Sequence, residues 1–358
     1  MSLRESAPTP LPRIRRVRAC ALATLLATLL IVMIAALFTG CAPAKSEVSG
    51  QERGGTRERR VGASSSQPAT NEKDGTTRRE MPNTNSETGE SVARSPFYTE
   101  LKKALKHRKL KLESVCDIQD PVSRRVLEDY GAMFLASDGV LPPPVCMFTT
   151  EDEVLKFQEE AGLSTAIVGG ARIELQPEAM NALLAAREEA RAARLDITPR
   201  GGSEAARRSY DDTLRLWNTR FLPALTYWNK RGRLSKEQVE RLRKLPLRDQ
   251  VREVLELERS GIFFSKDFSK SILYSIAAPG TSQHIALLAL DVDQFADERV
   301  RRILARHGWF QTVKSDLPHF TYLGLEEKDL PGRGLRSVIA GKQLFWIPNV
   351  GGEQSGEE

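Results

Sequence analysis

Apolar and polar positions divide the chain into stretches of different texture. An uncharged apolar run extends from Ala19 to Phe38, and residues 42–95 follow it with Ser, Thr, Gly, Glu, Asn and Arg and no apolar period. A segment of that kind buries too little surface to offset its chain entropy, which predicts a disordered tether. Its length of about 54 residues gives an r.m.s. reach of about 40 Å. Between 96 and 175, short apolar pieces surround Pro142-Pro143-Pro144. Val145-Cys146-Met147-Phe148 predicts a strand, and Thr150-Glu151-Asp152-Glu153 opens a helix through Phe157. We read 96–175 as a small α/β accessory region.

The texture then turns helical. Pro177 suits a first-turn position, and Ala, Leu, Glu and Arg fill 178–194, all strong helix formers. Leu195-Asp196-Ile197-Thr198 predicts a short strand. A helix follows Arg207-Arg208-Ser209-Tyr210 through Leu214, Leu216 and Trp217. Ser235-x-x-Gln238 has the pattern of a capping box, for a helix broken at Pro246. A further helix over Asp249–Arg259 carries Val251, Val254, Leu255 and Glu258 on one side. From residue 262 strands are predicted at Ile272–Ile276, Ile285–Val292, Gln311–Val313, Phe320–Leu323 and Gln343–Ile347. The fold class is α+β, an antiparallel sheet with helices packed on one side, in a domain spanning 176–350 with a disordered tail at 351–358.

The N-terminus changes the picture of where this domain works. Arg13, Arg15, Arg16 and Arg18 flank the apolar run, which as a helix is just long enough to cross a bilayer. It ends in Leu37-Phe38-Thr39-Gly40-Cys41, small residues before a cysteine, similar to a bacterial lipobox with Phe38 in place of the usual Leu. Residues 1–41 are thus expected to be a lipoprotein signal ending at lipid-modified Cys41; the alternative is an uncleaved membrane anchor. Both readings export the remainder and hold it at the membrane of the cell envelope, facing the periplasm or exterior. Cys20 lies in the signal, so two of the four cysteines remain, Cys116 and Cys146. In an oxidising compartment they form either a disulfide or a pair of buried free thiols.

The formal charge of +6 is modest and comes partly from the signal's flank. The basic stretch Lys102–Lys111 is a solvated helix face or a contact for an anionic envelope surface. It has no interleaved aromatics, which argues against nucleic acid as a partner. Trp217, Phe221, Tyr227 and Trp228 are expected in the core. The chain has no phosphate-binding glycine loop and no G-x-S-x-G serine elbow.

Only four histidines occur in the whole chain. His107 in the basic helix is expected on the surface, and His307, before Gly308-Trp309, is expected to be structural. The other two have informative surroundings. His284 ends Pro279-Gly280-Thr281-Ser282-Gln283-His284, Asp291 follows seven residues on, and His319 lies in Asp316-Leu317-Pro318-His319 before a predicted strand. Two imidazoles and one carboxylate suit a catalytic zinc ion (Zn2+) with a fourth position for water. By residue type alone, a histidine beside a strand is more often a core residue.

Ser282-x-His284-x6-Asp291 after Pro279-Gly280, together with Asp316-x-x-His319, resembles the two zinc motifs of the LAS peptidases, and specifically their D-alanyl-D-alanine carboxypeptidase branch. The group includes lysostaphin-type enzymes and the hedgehog signalling domain. The resemblance covers about 150 residues, roughly 176–325, and includes the helix–strand–Arg207-Arg208-Ser209 unit. It implies a D-Ala-D-Ala carboxypeptidase/hedgehog-like fold with zinc on His284, Asp291 and His319. It also implies Asp316 in the place of the catalytic glutamate, Arg208 on the substrate, and Ser282 orienting the metal-site loop or the substrate. The expected function is that of a zinc carboxypeptidase acting on D-Ala-containing peptidoglycan stem peptides. Two positions differ from the family pattern: Leu287 stands where the family has Gly, and Asp316 where it has Glu. Leu287 suggests a more filled strand environment. Both favour the alternative, a catalytically disarmed, zinc-stabilised module that binds the cell wall or a peptide.

Overall fold

The computed structural model describes residues 94–351. The signal, Cys41, the tether through residue 93 and the tail beyond 351 lie outside the described residues.

Helix α1 (Pro96–His107) opens with Ser95 accepting the Tyr98 N–H and with Pro96 in the first turn, where a missing N–H costs nothing. It buries Phe97, Tyr98, Leu101 and Leu105, an i, i+1, i+4, i+8 stripe. Short α2 (Leu112–Val115) and α3 (Pro121–Tyr130) follow, and a 3-10 turn over Gly131–Leu135 continues α3. Cys116 and Cys146 are joined in a disulfide with their Cα atoms 5.3 Å apart, the first of the two alternatives. Val145–Phe148 is not a strand. Its N–H groups go to separate places, Cys146 to the Val115 carbonyl and Phe148 to the Gly280 carbonyl, so no ladder forms. Helix α4 (Glu151–Ala161) starts at its Thr150 cap as expected.

A hairpin absent from the sequence reading follows, β1 (Ser164–Val168) against β2 (Ala171–Leu175). Its signal was Gly169-Gly170, both at positive φ, the dipeptide that two-residue hairpin turns favour. Helix α5 (Pro177–Ala192) leads to an extended segment. The predicted strand Leu195–Thr198 is reduced there to one isolated bridge slightly downstream, Pro199 to Val292. Three helices come next: α6 (Tyr210–Lys230), α7 (Lys236–Lys244) and α8 (Leu247–Arg259). Ser209 and Ser235 both form complete capping boxes.

Beyond α8, the predicted strand at Ile272–Ile276 is instead a 3-10 turn over Ile272–Tyr274. Of Ile285–Val292 only β3 (Ala289–Asp291) is strand, because residues before it turn back on themselves, with the N–H groups of Ile285, Ala286 and Leu287 bonded to the carbonyls of Ser282, Gln283 and His284. After α9 (Glu298–Arg306) comes β4 (Trp309–Phe310), just ahead of the predicted Gln311–Val313. β5 (His319–Tyr322) lies between β3 and β4, antiparallel to both. A closing hairpin pairs β6 (Leu335–Ala340) with β7 (Gln343–Pro348). The class is α+β, and its antiparallel pairing is divided among three small sheets rather than one.

Two hydrophobic cores lie beneath these elements. One runs from Phe97 through Val168, Leu183, Leu288 and Phe320 to Val350. The other gathers Val122, Val126 and Tyr130 with Trp217, Phe221, Val254 and Phe264. Both draw on residues from either side of position 175, so the accessory region shares its interior with the rest. Trp217 and Phe221 are fully buried and stacked, as expected of core aromatics, and Trp217 donates its indole N–H to Gln250 at 2.9 Å. Among the described residues no helix is long and apolar enough to cross a membrane.

Candidate metal centre

β3 and β5 bring the centre together. Their register sets Asp291 opposite His319. His284 reaches the same point from the turn before β3, and Gly280 makes that turn possible. Gly280 has φ +76, and a Cβ on it would stand 2.0 Å from the Phe148 carbonyl oxygen, so only glycine fits. The Gly280 N–H is also held by Thr213 of α6 at 3.1 Å. Thr281, Ser282, Gln283 and His284 are all buried, an unusual polar run for an interior.

Three ligand atoms converge. His319 Nδ1 lies 3.1 Å from His284 Nε2 and 3.2 Å from Asp291 Oδ1, and His284 Nε2 lies 3.4 Å from Asp291 Oδ1. Ligands at about 2.0–2.1 Å on a tetrahedral ion stand about 3.3–3.4 Å apart, so this triangle has the size of one face of such a site. Each ligand is oriented from behind. The other ring nitrogen of His284, Nδ1, faces the Ala206 carbonyl at 3.2 Å, and that of His319, Nε2, faces Gln283 Oε1 at 2.8 Å. Both are acceptors, so the ring protons belong there and the lone pairs turn inward. The outer oxygen of Asp291 accepts from Arg208 Nη2 at 3.0 Å.

Electrostatics agree with this assignment. Burial pushes the His284 imidazole down to about 4, and the Arg208 cation adds to the effect, so His284 is neutral near pH 7. Burial alone would raise the Asp291 carboxyl, but the facing imidazoles of His284 and His319 hold it well below the usual carboxylate range. A neutral imidazole and an ionised carboxylate are forms that bind a metal ion.

The centre opens into a cleft of about 300 Å³. Its walls include Arg208, Ser282, His284, Asp316 and His319, so every sequence-predicted site residue of this domain lies on the cleft except Asp291. The Asp316 carboxylate makes no hydrogen bond or ion pair among the described residues; its backbone carbonyl accepts from the His319 N–H at 3.2 Å. Asp316 is an exposed residue, yet desolvation in the cleft pushes its carboxyl upward, the Asp291 charge adds to this, and His319 and Arg208 oppose it. Ser282 Oγ accepts from the His284 N–H at 3.4 Å, which places it in the metal-site turn. Arg208 both lines the cleft and touches Asp291, and its Nε is buried without a partner.

Leu287 is not in a strand. It is buried at φ +59, the left-handed region that favours glycine, in the turn between His284 and β3. Leu287 thus meets a backbone demand that a glycine would meet without strain, at a cost of about 1–2 kcal/mol.

Sequence reasoning missed Gln283, the hinge of a buried network. Besides His319 it donates to the Tyr130 carbonyl at 2.7 Å and accepts from the Thr321 hydroxyl. A glutamine beside the candidate ligand was the available signal. Tyr130 also lines the cleft, so the accessory region forms part of the site. His307 pairs with Glu189 at 2.8 Å and His107 with Asp138 at 3.4 Å on the surface, both away from the centre as expected.

A scan of the sequence against models of known protein families finds no match, and a search of the curated proteins finds none either. The described residues define an α+β protein with a buried His284–Asp291–His319 group that could hold a metal ion.

Proposed function

We propose that this protein is a zinc-dependent peptidase of the D-alanyl-D-alanine carboxypeptidase type, acting on stem peptides of the cell wall. The convergence of three ligand atoms at the edge of a cleft lined by Arg208 and Asp316 carries the reading. The motif resemblance supplies the substrate class.

His284, Asp291 and His319 would hold the zinc, which when bound would supply Lewis acidity, lowering the pKa of water toward about 7 and polarising a carbonyl. The protein's own groups do the rest. Ala206 and Gln283 keep the imidazole lone pairs inward. Asp316, unpaired at the cleft, accepts the proton of the attacking water and returns it to the amine released when the C–N bond breaks. Arg208, on the wall of the cleft, offers its guanidinium to a carboxylate or carbonyl of the peptide. The N-terminal signal and Cys41 fit delivery to such a substrate, with a lipid or an anchor holding the tethered domain at the envelope.

The test is to measure zinc in the purified protein and incubate it with wall muropeptides, identifying products by mass. One zinc per chain and release of D-Ala are expected. Zinc without hydrolysis supports the disarmed binding module instead, and absence of any tightly held metal rejects both.

A further inference from the structure

The metal cleft continues beyond the centre. A smaller pocket, of about 60 Å³, adjoins it, and Tyr130, Leu273, Tyr274, Val313 and Ser315 line both. Together they form one groove, with His284, His319 and Arg208 along one part and Arg125, Glu128, Asp129 and Lys314 along the other. The smaller part has room for several waters or a carboxylate.

Two successive turns connect Lys314 to the centre. The Asp316 N–H closes the first on the Val313 carbonyl at 3.0 Å, and the His319 N–H closes the second on the Asp316 carbonyl at 3.2 Å. Lys314 and Ser315 are the middle residues of the first, and Asp316 stands at the junction of the two. Each turn keeps its ends within about 7 Å, so Val313 stays within about 14 Å of His319. An extended peptide covers that distance in about four residues.

Charge decides what the smaller part can hold. Asp129 already accepts from Arg125 Nε at 2.6 Å, and Glu128 from the Tyr98 hydroxyl at 3.1 Å. Arg124 and Arg125 act on Glu128 through space, as Arg125 and Lys314 do on Asp129, so three cations stand against two carboxylates. Lys314 is half-buried and within reach of solvent, and its ammonium makes no hydrogen bond or ion pair among the described residues. The hydroxyls of Tyr274 and Ser315 beside it are likewise unbonded there. A free cation with two free hydroxyls is a set of donors for an anion, and a carboxylate fits the space. We propose that the groove takes an acidic peptide and that Lys314 selects it, pairing with a carboxylate within about four residues of the bond held at the metal centre and distinct from any group on Arg208. This deepens the peptidase reading and rests on it for the peptide.

The test is calorimetric binding to the full chain of L-Ala-γ-D-Glu-L-Lys-D-Ala-D-Ala, its last amide replaced by a ketomethylene unit so that nothing is cut. The peptide is used with the glutamate α-carboxylate free and with it amidated. The acidic form should bind about 3–10-fold more tightly, the worth of one charged hydrogen bond at a half-exposed site. That preference should shrink as salt rises toward about 0.5 M. Lys314→Gln removes no hydrogen bond of the fold and should bind both forms alike, while Lys314→Arg should keep the preference. Equal binding of the two forms by wild type, a preference kept by Lys314→Gln, or no binding of either form overturns the proposal. Cutting of the all-amide peptide is followed separately by mass. Cutting without a preference sinks the role of Lys314 alone, whereas a preference without cutting sinks the peptidase and leaves acidic-peptide binding in place.

Discussion

Two residues at the centre separate metal binding from chemistry. Asp316 contacts none of the ligands through its side chain, so Asp316→Asn should leave the zinc content unchanged. Hydrolysis should fall by about 10²–10⁴-fold, the usual worth of a general acid–base group. Paired metal analysis and turnover of the same preparation check this, and loss of metal would mean that Asp316 shapes the site instead. Arg208 is different, because its guanidinium braces Asp291 at 3.0 Å. Removing such a brace typically weakens metal affinity about 10–100-fold. Arg208→Ala should therefore lose zinc to a competing chelator at a correspondingly lower concentration while still binding it at saturation. The sequence alone suggested an arginine for substrate; that it braces a ligand emerges only when residues 208 and 291 meet in space. Leu287 makes the same point, since its identity says apolar and only its φ of +59 says why a glycine would serve there.

At the scale of elements, the decisive unit is the turn from Pro279 to His284. Gly280 touches the Phe148 backbone so closely that any side chain forces the two segments apart. Gly280→Ala should destabilise the protein by at least about 2 kcal/mol, a strain cost at a special φ plus a backbone clash. It should weaken metal binding too, because His284 hangs from the same turn. Denaturant midpoints and zinc titration of the variant check both, and an unchanged midpoint would show that the contact is slack. Helices were legible where Ser209, Ser235 and Thr150 announce their starts and Pro246 a stop, whereas α3 and α9 went unread. Strands were less so. Ile272–Ile276 and Leu195–Thr198 have strand-like composition, yet no long neighbour lies beside them, and a β-residue gains its hydrogen bonds only from a partner strand.

Across the whole molecule, one buried acid couples stability to pH. Glu258, at the end of α8, accepts the backbone N–H of Ile272 at 2.6 Å and of Phe264 at 3.3 Å, tying down the segment that walls the metal cleft. Burial raises its carboxyl to about 7, against the pull of those N–H groups, the Ser271 hydroxyl and Arg125. The folded chain thus keeps a proton that the unfolded chain has released between pH 4.5 and 7. The contribution of Glu258 to stability is full below 4.5, declines as pH rises through 7 and then levels. At about 1.4 kcal/mol per unit the change is about 3 kcal/mol. The difference in unfolding free energy between wild type and Glu258→Gln should follow that curve across pH 4.5–8, and a flat difference would reject it. Two cores, each crossing position 175, explain why the segment read as an accessory is integral to the fold.

The motif resemblance named His284, Asp291 and His319 as one group, and what the chain determined by itself beyond that is local: helix starts and stops and the apolar stripes. These depend on contacts within a few residues, and the residue pattern carries them directly. Tertiary structure alone decided which segments pair, that Tyr130 and Gln283 serve the centre, and that Arg208 faces Asp291. Those facts join residues from three to more than a hundred positions apart. Backbone hydrogen bonds and packing choose such partners from the whole chain at once, and no local pattern encodes the choice.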